Sequence, residues 1–236
     1  LATPTGTLNW TAGSGDWDDA DNWDSGLGFT PNQLLPAIIR ASEGDIVVNG
    51  PAEDAVIHSL DVGGGNNGSV DLNLNAGNLE VLNQLNLFSN GALAIATGKT
   101  LTNTGTLTNQ GQLDNSGTLS NQGTLNTQNA LNNLTGGQLT NAADHTLTNS
   151  GTLTNEGQLD NSGTLSNQGT LDNQNALNIL TGGRLTNAAN HTLTNTGTLT
   201  NQGQLDNRGT FVNSVGSTFN NSGTFNNFDR YSNQGV

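Results

Sequence analysis

Through the last two-thirds of the chain, apolar residues stand alone and six positions apart. Leu101, Leu107, Leu113, Leu119, Leu125 and Leu131 open the series, and Asn103, Asn109, Asn115, Asn121 and Asn133 follow two positions behind. Gly105, Gly111, Gly117 and Gly123 stand two positions ahead, so the unit is G-x-L-x-N-x. Strand side chains alternate between two faces, which puts Gly, Leu and Asn on one side and the x residues on the other. The x residues are Thr, Ser, Gln, Asp and Asn, which suit solvent. A helix would need apolar residues at spacings of three and four, and almost none occur. The pattern therefore predicts an all-β, single-stranded β-solenoid whose core is one thin apolar column.

A longer period overlies the hexad. Residues 105–150 and 151–196 are nearly the same 46-residue sentence, and residues 59–104 and the partial unit 197–236 flank them. Within one unit the leucines step by 6, 6, 6, 6, 8, 8 and 6, from Leu107 to Leu153. Grouping strands by threes aligns Leu101, Leu119, Leu139, Leu159, Leu177 and Leu199, so about three strands per coil are expected. Seven strands do not divide by three, so each repeat should begin one face further round the coil.

The Gly slot is filled elsewhere by Asn129, His145, Asn175, His191 and Asp229, with Lys99 and Ser217 as exceptions. Asn, Asp and His tolerate positive φ best after Gly, so the slot is expected to be left-handed and to turn the corner. His145 and His191 are then corner residues. The Asn slot is filled at 19 of 21 positions between Leu101 and Tyr231, with Thr127 and Ile179 as the departures. Inward Asn residues, among them Asn103, Asn109, Asn115, Asn121, Asn155, Asn161 and Asn167, are expected to form a structural ladder from coil to coil.

Residues 1–36 read as an N-terminal cap and 37–236 as the solenoid. The cap holds all three Trp and three of the four Pro. Trp10, Trp17 and Trp23 suit a lid over the first coil. Asp16, Asp18, Asp21 and Asp24, with Asp19 among them, form a candidate Ca²⁺ site, since clustered carboxylates suit a cation that takes many oxygens. Their spacing is not that of an EF-hand, and solvated Asx turns are the alternative. No other cofactor is expected. At the other end Leu gives way to Phe211, Phe219, Phe225, Phe228 and Tyr231 before the sequence stops within a hexad. The expectation there is an open coil edge that the continuing chain or another copy covers. Trp10, Trp17, Trp23, Phe219, Phe225, Phe228 and Tyr231 are accordingly candidates for end-to-end self-association into a homo-oligomer or filament.

Charge narrows the function classes. The net charge is −14, and the five basic residues are scattered. No basic stripe exists to neutralise phosphates, which argues against nucleic acid. No apolar run reaches transmembrane length. Cysteine is absent, so disulfide and thiolate chemistry are excluded. Acids in the repeats are isolated, and Asp114, Asp160 and Asp206 are one position repeated at 46-residue offset. Catalysis needs a unique constellation, so an enzyme of the polysaccharide-lyase kind is disfavoured. Thr-x-Thr pairs around Leu101, Leu107, Leu147, Leu153, Leu193 and Leu199 raise ice binding, but three-strand stacking should scatter them over all faces.

The stretch Leu8-Asn9-Trp10-Thr11 through Gly15-Asp16-Trp17 to Asp21-Asn22-Trp23 resembles the opening of secreted bacterial β-helix exoproteins, including autotransporter passengers. The G-x-L-x-N repeats resemble those of filamentous-haemagglutinin-type adhesins. The resemblance implies a right-handed β-helix, export to the cell surface or exterior, and structural or adhesive roles. It carries over no catalytic residue. The expected function is a non-enzymatic extracellular structural protein that self-associates into a fibre or matrix. The alternative is an adhesin-type stalk whose partners are glycans or surfaces.

Overall fold

The computed structural model describes residues 6–24, 30–32, 34–65 and 67–236. The chain is a parallel β-solenoid of about ten turns, with one 3-10 turn at Ala20–Asn22 and no other helix among these residues. Each G-x-L-x-N-x hexad becomes a four-residue strand and a two-residue corner, as in Thr106–Asn109 followed by Gln110 and Gly111. Three such strands complete a coil.

The first face contains Thr100–Asn103, the second Thr106–Asn109 and the third Gln112–Asn115. Every strand pairs in parallel with the equivalent strand one coil away, in full register through the hexad repeats. Leu101 aligns with Leu119, then Leu139, Leu159, Leu177 and Leu199, which is the column expected from the leucine spacing. The third face stacks 11 strands, or a rise of about 48 Å at about 4.8 Å per layer. Two longer strands, Ala55–Val62 and Leu79–Leu87, bend through both the first and second faces, with a register shift between Ile57 and Ser59.

The core is the stack of inward Leu residues, each essentially inaccessible to solvent. Burying one such side chain contributes about 2 kcal/mol. The inward Asn residues lie beside them and are equally buried from Asn103 to Asn213.

The segment read as a cap already contributes strands to the coil. Leu8–Asn9 pairs with Pro36–Ile39, and Gly15–Asp16 pairs with Ile46–Asn49. Trp10, Trp17 and Trp23 are buried there and pack edge to face, with centroids 5.1 and 5.3 Å apart. The indole N–H of Trp10 donates to the Gly13 carbonyl and that of Trp23 to the Trp17 carbonyl.

The expectation of a left-handed Gly slot is overturned. None of Gly105, Gly111, Gly117 or Gly123 has a positive φ. The left-handed residues of the repeats stand one position before the slot, and only in the four-residue corners: Gly98, Asp144 and Gly182 are examples. The slot needs Gly because corners stack on corners. A Cβ on Gly105 would come within 1.9 Å of the Asn83 carbonyl oxygen in the coil before it. The physical cause is contact between coils and not the local backbone dihedral.

Candidate functional site

The inward Asn residues form hydrogen-bonded ladders on all three faces. On the third face Asn115 Nδ2 donates to Asn133 Oδ1 at 2.7 Å, Asn133 to Asn155 and Asn155 to Asn173, each also at 2.7 Å. On the first face the run is Asn103, Asn121, Asn141 and Asn161. On the second it begins at Asn149 and continues through Asn167 to Asn187. Each Nδ2 also reaches a strand-start carbonyl on the following coil, as Asn133 does to Gln158 at 2.9 Å. The amide thus ties two coils together at a corner, where the sheet ladder itself is interrupted. Asn109 lies outside these runs: its Nδ2 donates to the Ala130 carbonyl, and its Oδ1 accepts from Gly111 N. Of the residues expected in the ladder, Asn103, Asn115, Asn121, Asn155, Asn161 and Asn167 lie in these runs and Asn109 does not.

All ladders point the same way, with Nδ2 toward the later coil. The first Asn of each run therefore has no donor behind it. Asn103, Asn115, Asn149 and Asn201 each carry a buried Oδ1 without a hydrogen bond. Their neighbours in the preceding coil are Val81, Ile95, Thr127 and Ile179.

Through the hexad repeats the outward surfaces are polar, with few charged residues. The Thr-x-Thr pairs fall two to a face: at Leu101 and Leu199 on the first, Leu107 and Leu147 on the second, Leu153 and Leu193 on the third. Asp114, Asp160 and Asp206 lie on the third, first and second faces respectively. Each accepts from a Gln two residues earlier and an Asn of the following coil. For Asp114 these are Gln112 at 2.5 Å and Asn132 at 2.7 Å. This Gln–Asp–Asn triad was not foreseen, although the repeated Gln-x-Asp spacing was visible. In the third copy Arg184 joins, its guanidinium 2.6 Å from Asp206 Oδ2. Burial works against the charge of Asp206, but hydrogen bonds from Gln204, Asn226 and Arg184 outweigh it and hold the carboxyl below its ordinary value.

The N-terminal carboxylates serve the turns around them. Asp16 accepts from Asn49 Nδ2 at 2.7 Å, Asp18 from the Ala52 amide at 2.6 Å, and Asp24 from both nitrogens of Asn9. Asp19 caps the 3-10 turn through the Asp21 amide. Among the described residues no group of three or more His, Cys, Asp or Glu is gathered closely enough to hold a metal ion. Asp16, Asp18, Asp21 and Asp24 are spread along the segment.

Near the other end, Phe219, Phe225 and Tyr231 come one from each face and meet on the axis over buried Phe211. Their centroids lie 5.1 to 6.1 Å apart. Phe228 stands apart from them at a corner, exposed, with the Arg208 guanidinium 5.4 Å from its ring. The Trp trio, by contrast, is internal.

Residues 172–227 match the family model of the haemagglutinin repeat. The match covers about three coils, and the near-identical 46-residue unit before it carries the same rungs. Together with the solenoid it supports the resemblance to β-helix exoproteins with filamentous-haemagglutinin-like repeats. No curated protein and no solved structure matches the chain. Among the described residues no helix is long and apolar enough to cross a membrane.

Proposed function

We propose that this chain is the non-enzymatic rod of a secreted or surface-bound adhesin, which contacts glycans or cell surfaces through its polar faces. The observation that carries the reading is the match of residues 172–227 to the haemagglutinin repeat, in a solenoid whose outward positions are free of packing duty. Inside, Leu and Asn are committed to the core and ladders. Outside, the x positions are not part of the Leu and Asn core, and they are where a binding surface evolves. Asp114, Asp160 and Asp206 recur as the same triad on three faces, a multivalent arrangement rather than a catalytic one. Binding of the purified chain to a glycan array and to intact cells tests the reading. Retention on defined glycans or surfaces supports it, and the absence of retention on every one overturns it.

A second reading is end-to-end association. The layer of Phe219, Phe225 and Tyr231 is only partly buried, and on the first face the chain past it already pairs with the Phe219 strand, where Phe219 N donates to the Val236 carbonyl at 2.7 Å. Such a layer is suited to receive another rung pattern of the same kind. Light scattering with negative-stain microscopy tests this reading: particles that lengthen with concentration support it, and strictly monomeric rods overturn it.

A further inference from the structure

On a solenoid face the outward side chains of successive coils stand in rows, two residues per row, about 4.8 Å apart. From Val70 onward each row carries at least one polar side chain, with one exception. The strand Gly91–Ile95 places Ala92 and Ala94 outward on the third face. The row before it is Asp71 and Asn73, and the row after it is Gln112 and Asp114, in direct register. The missing row leaves a shallow trench of about 290 Å³ across the face.

We infer that this trench is a binding subsite for a single neutral sugar ring, which rests on the reading of the chain as an adhesin. The floor is two methyl groups, matched to the apolar face of a pyranose. The walls stand about 9.6 Å apart, two strand spacings, and carry carboxylate and amide groups that accept from and donate to ring hydroxyls. The Asp114 wall is held in place before any ligand arrives, because Gln112 and Asn132 already donate to its two oxygens. Fixed groups lose little freedom on binding. The carboxylates of Asp71 and Asp114 select against acidic sugars, and the overall charge of −14 acts in the same sense. With no aromatic platform in the trench, one ring binds weakly, and useful avidity comes from several rods presented together.

The test is an NMR titration of the isotope-labelled full chain with methyl glycosides of glucose, galactose and mannose and with N-acetylglucosamine, with sialic acid as the charged comparator. Saturating shifts are expected for at least one neutral sugar, confined to the Ala92 and Ala94 methyls and the Asn73 and Gln112 side-chain amides. Sialic acid is expected to give none. The double variant Ala92→Thr/Ala94→Thr refills the row with the pair that already stands at Thr152 and Thr154 on the same face, so the fold is retained. It should weaken binding by at least about tenfold. No shift with any neutral sugar, or equal shifts in the double variant, overturns the trench. Glycan-array or cell retention that survives in the double variant leaves the adhesin reading standing while the trench assignment fails. Loss of retention by the wild type on every surface removes the adhesin reading itself.

Discussion

Thr127 lies in register with Asn149 on the following coil of the second face, and the Oδ1 of Asn149 receives no hydrogen bond. At every uninterrupted rung that oxygen accepts from the Asn one coil before. Thr127 has a hydroxyl too short to reach it, and its own Oγ1 is also buried and unpartnered. Thr127→Asn should therefore join Asn109 to Asn149 in one run. Each net hydrogen bond adds about 1 kcal/mol, so a gain of about 1–2 kcal/mol is expected, read as a raised urea midpoint.

Removing a rung from the middle of a run should do the reverse. Asn155→Ala leaves one hydrogen of the Asn133 amide without an acceptor, while the bond to the Gln158 carbonyl stays, and leaves the Asn173 Oδ1 without a donor. Each orphaned buried group costs about 1–3 kcal/mol, so a loss of about 2–6 kcal/mol is expected. Asn132→Ala, on the outward side of a neighbouring coil, should cost less than about 1 kcal/mol. Equal losses in the two variants would show that the ladder contributes little.

Two glycines seven residues apart, in successive corners, should respond oppositely to substitution. Gly105→Ala drives a methyl into the Asn83 carbonyl, and overpacking of this kind costs about 1–3 kcal/mol or more. Gly98 has φ +77° and open space around its Cβ position. Asp144 and Asn190 occupy the equivalent corner position at φ 66° and 67°, so Gly98→Asn should cost about 1 kcal/mol or less. Thermal melts of the two variants check the order.

Acid should weaken the rod through carboxylates whose folded values are depressed. Asp206 is held low by Gln204, Asn226 and Arg184 against the effect of burial, Asp45 by the backbone and hydroxyl of Ser69, and Asp54 by the backbone and amide of Asn78. The unfolded chain takes up protons first, near pH 4, so stability is full above that pH and falls as pH drops through the folded values. Urea midpoints measured from pH 6 down to pH 2 should decline below about pH 4. Asp206→Asn should flatten part of the slope and leave the share of Asp45 and Asp54.

Calcium should leave the melting midpoint unchanged. Asp16, Asp18 and Asp24 are already engaged as acceptors within the turns that they close. Titration calorimetry and a melt with and without Ca²⁺ check this. A rise in the midpoint would place a cation among these carboxylates.

What the sequence alone reveals of this fold follows a physical division. The column from Leu101 to Leu199 was legible because side-chain alternation and the leucine spacing together leave one register that buries every Leu. The Asn ladder was legible because a buried amide at a fixed position needs a partner at the same position. The role of the Gly slot was misread, because the clash that excludes a side chain there is with Asn83, a residue 22 positions away. The pairing of Arg184 with Asp206 was hidden for the same reason: the spacing between coils varies, so only the folded register brings the two together. The trench was present as two outward alanines, Ala92 and Ala94, but a gap has meaning only beside the rows that border it.

The mismatch between seven strands and three faces makes the 46-residue unit a screw thread. One more copy of the unit would advance the rod by two and one-third coils and rotate its surface pattern by a third of a circle. Three copies bring any outward residue back above its starting position. Duplication in this lineage therefore does more than lengthen the rod: it distributes a single ancestral surface around the circumference. A substitution that arises before copying is displayed as a spiral staircase, and one that arises afterwards, as at Glu156 between Gln110 and Gln202, marks a single step.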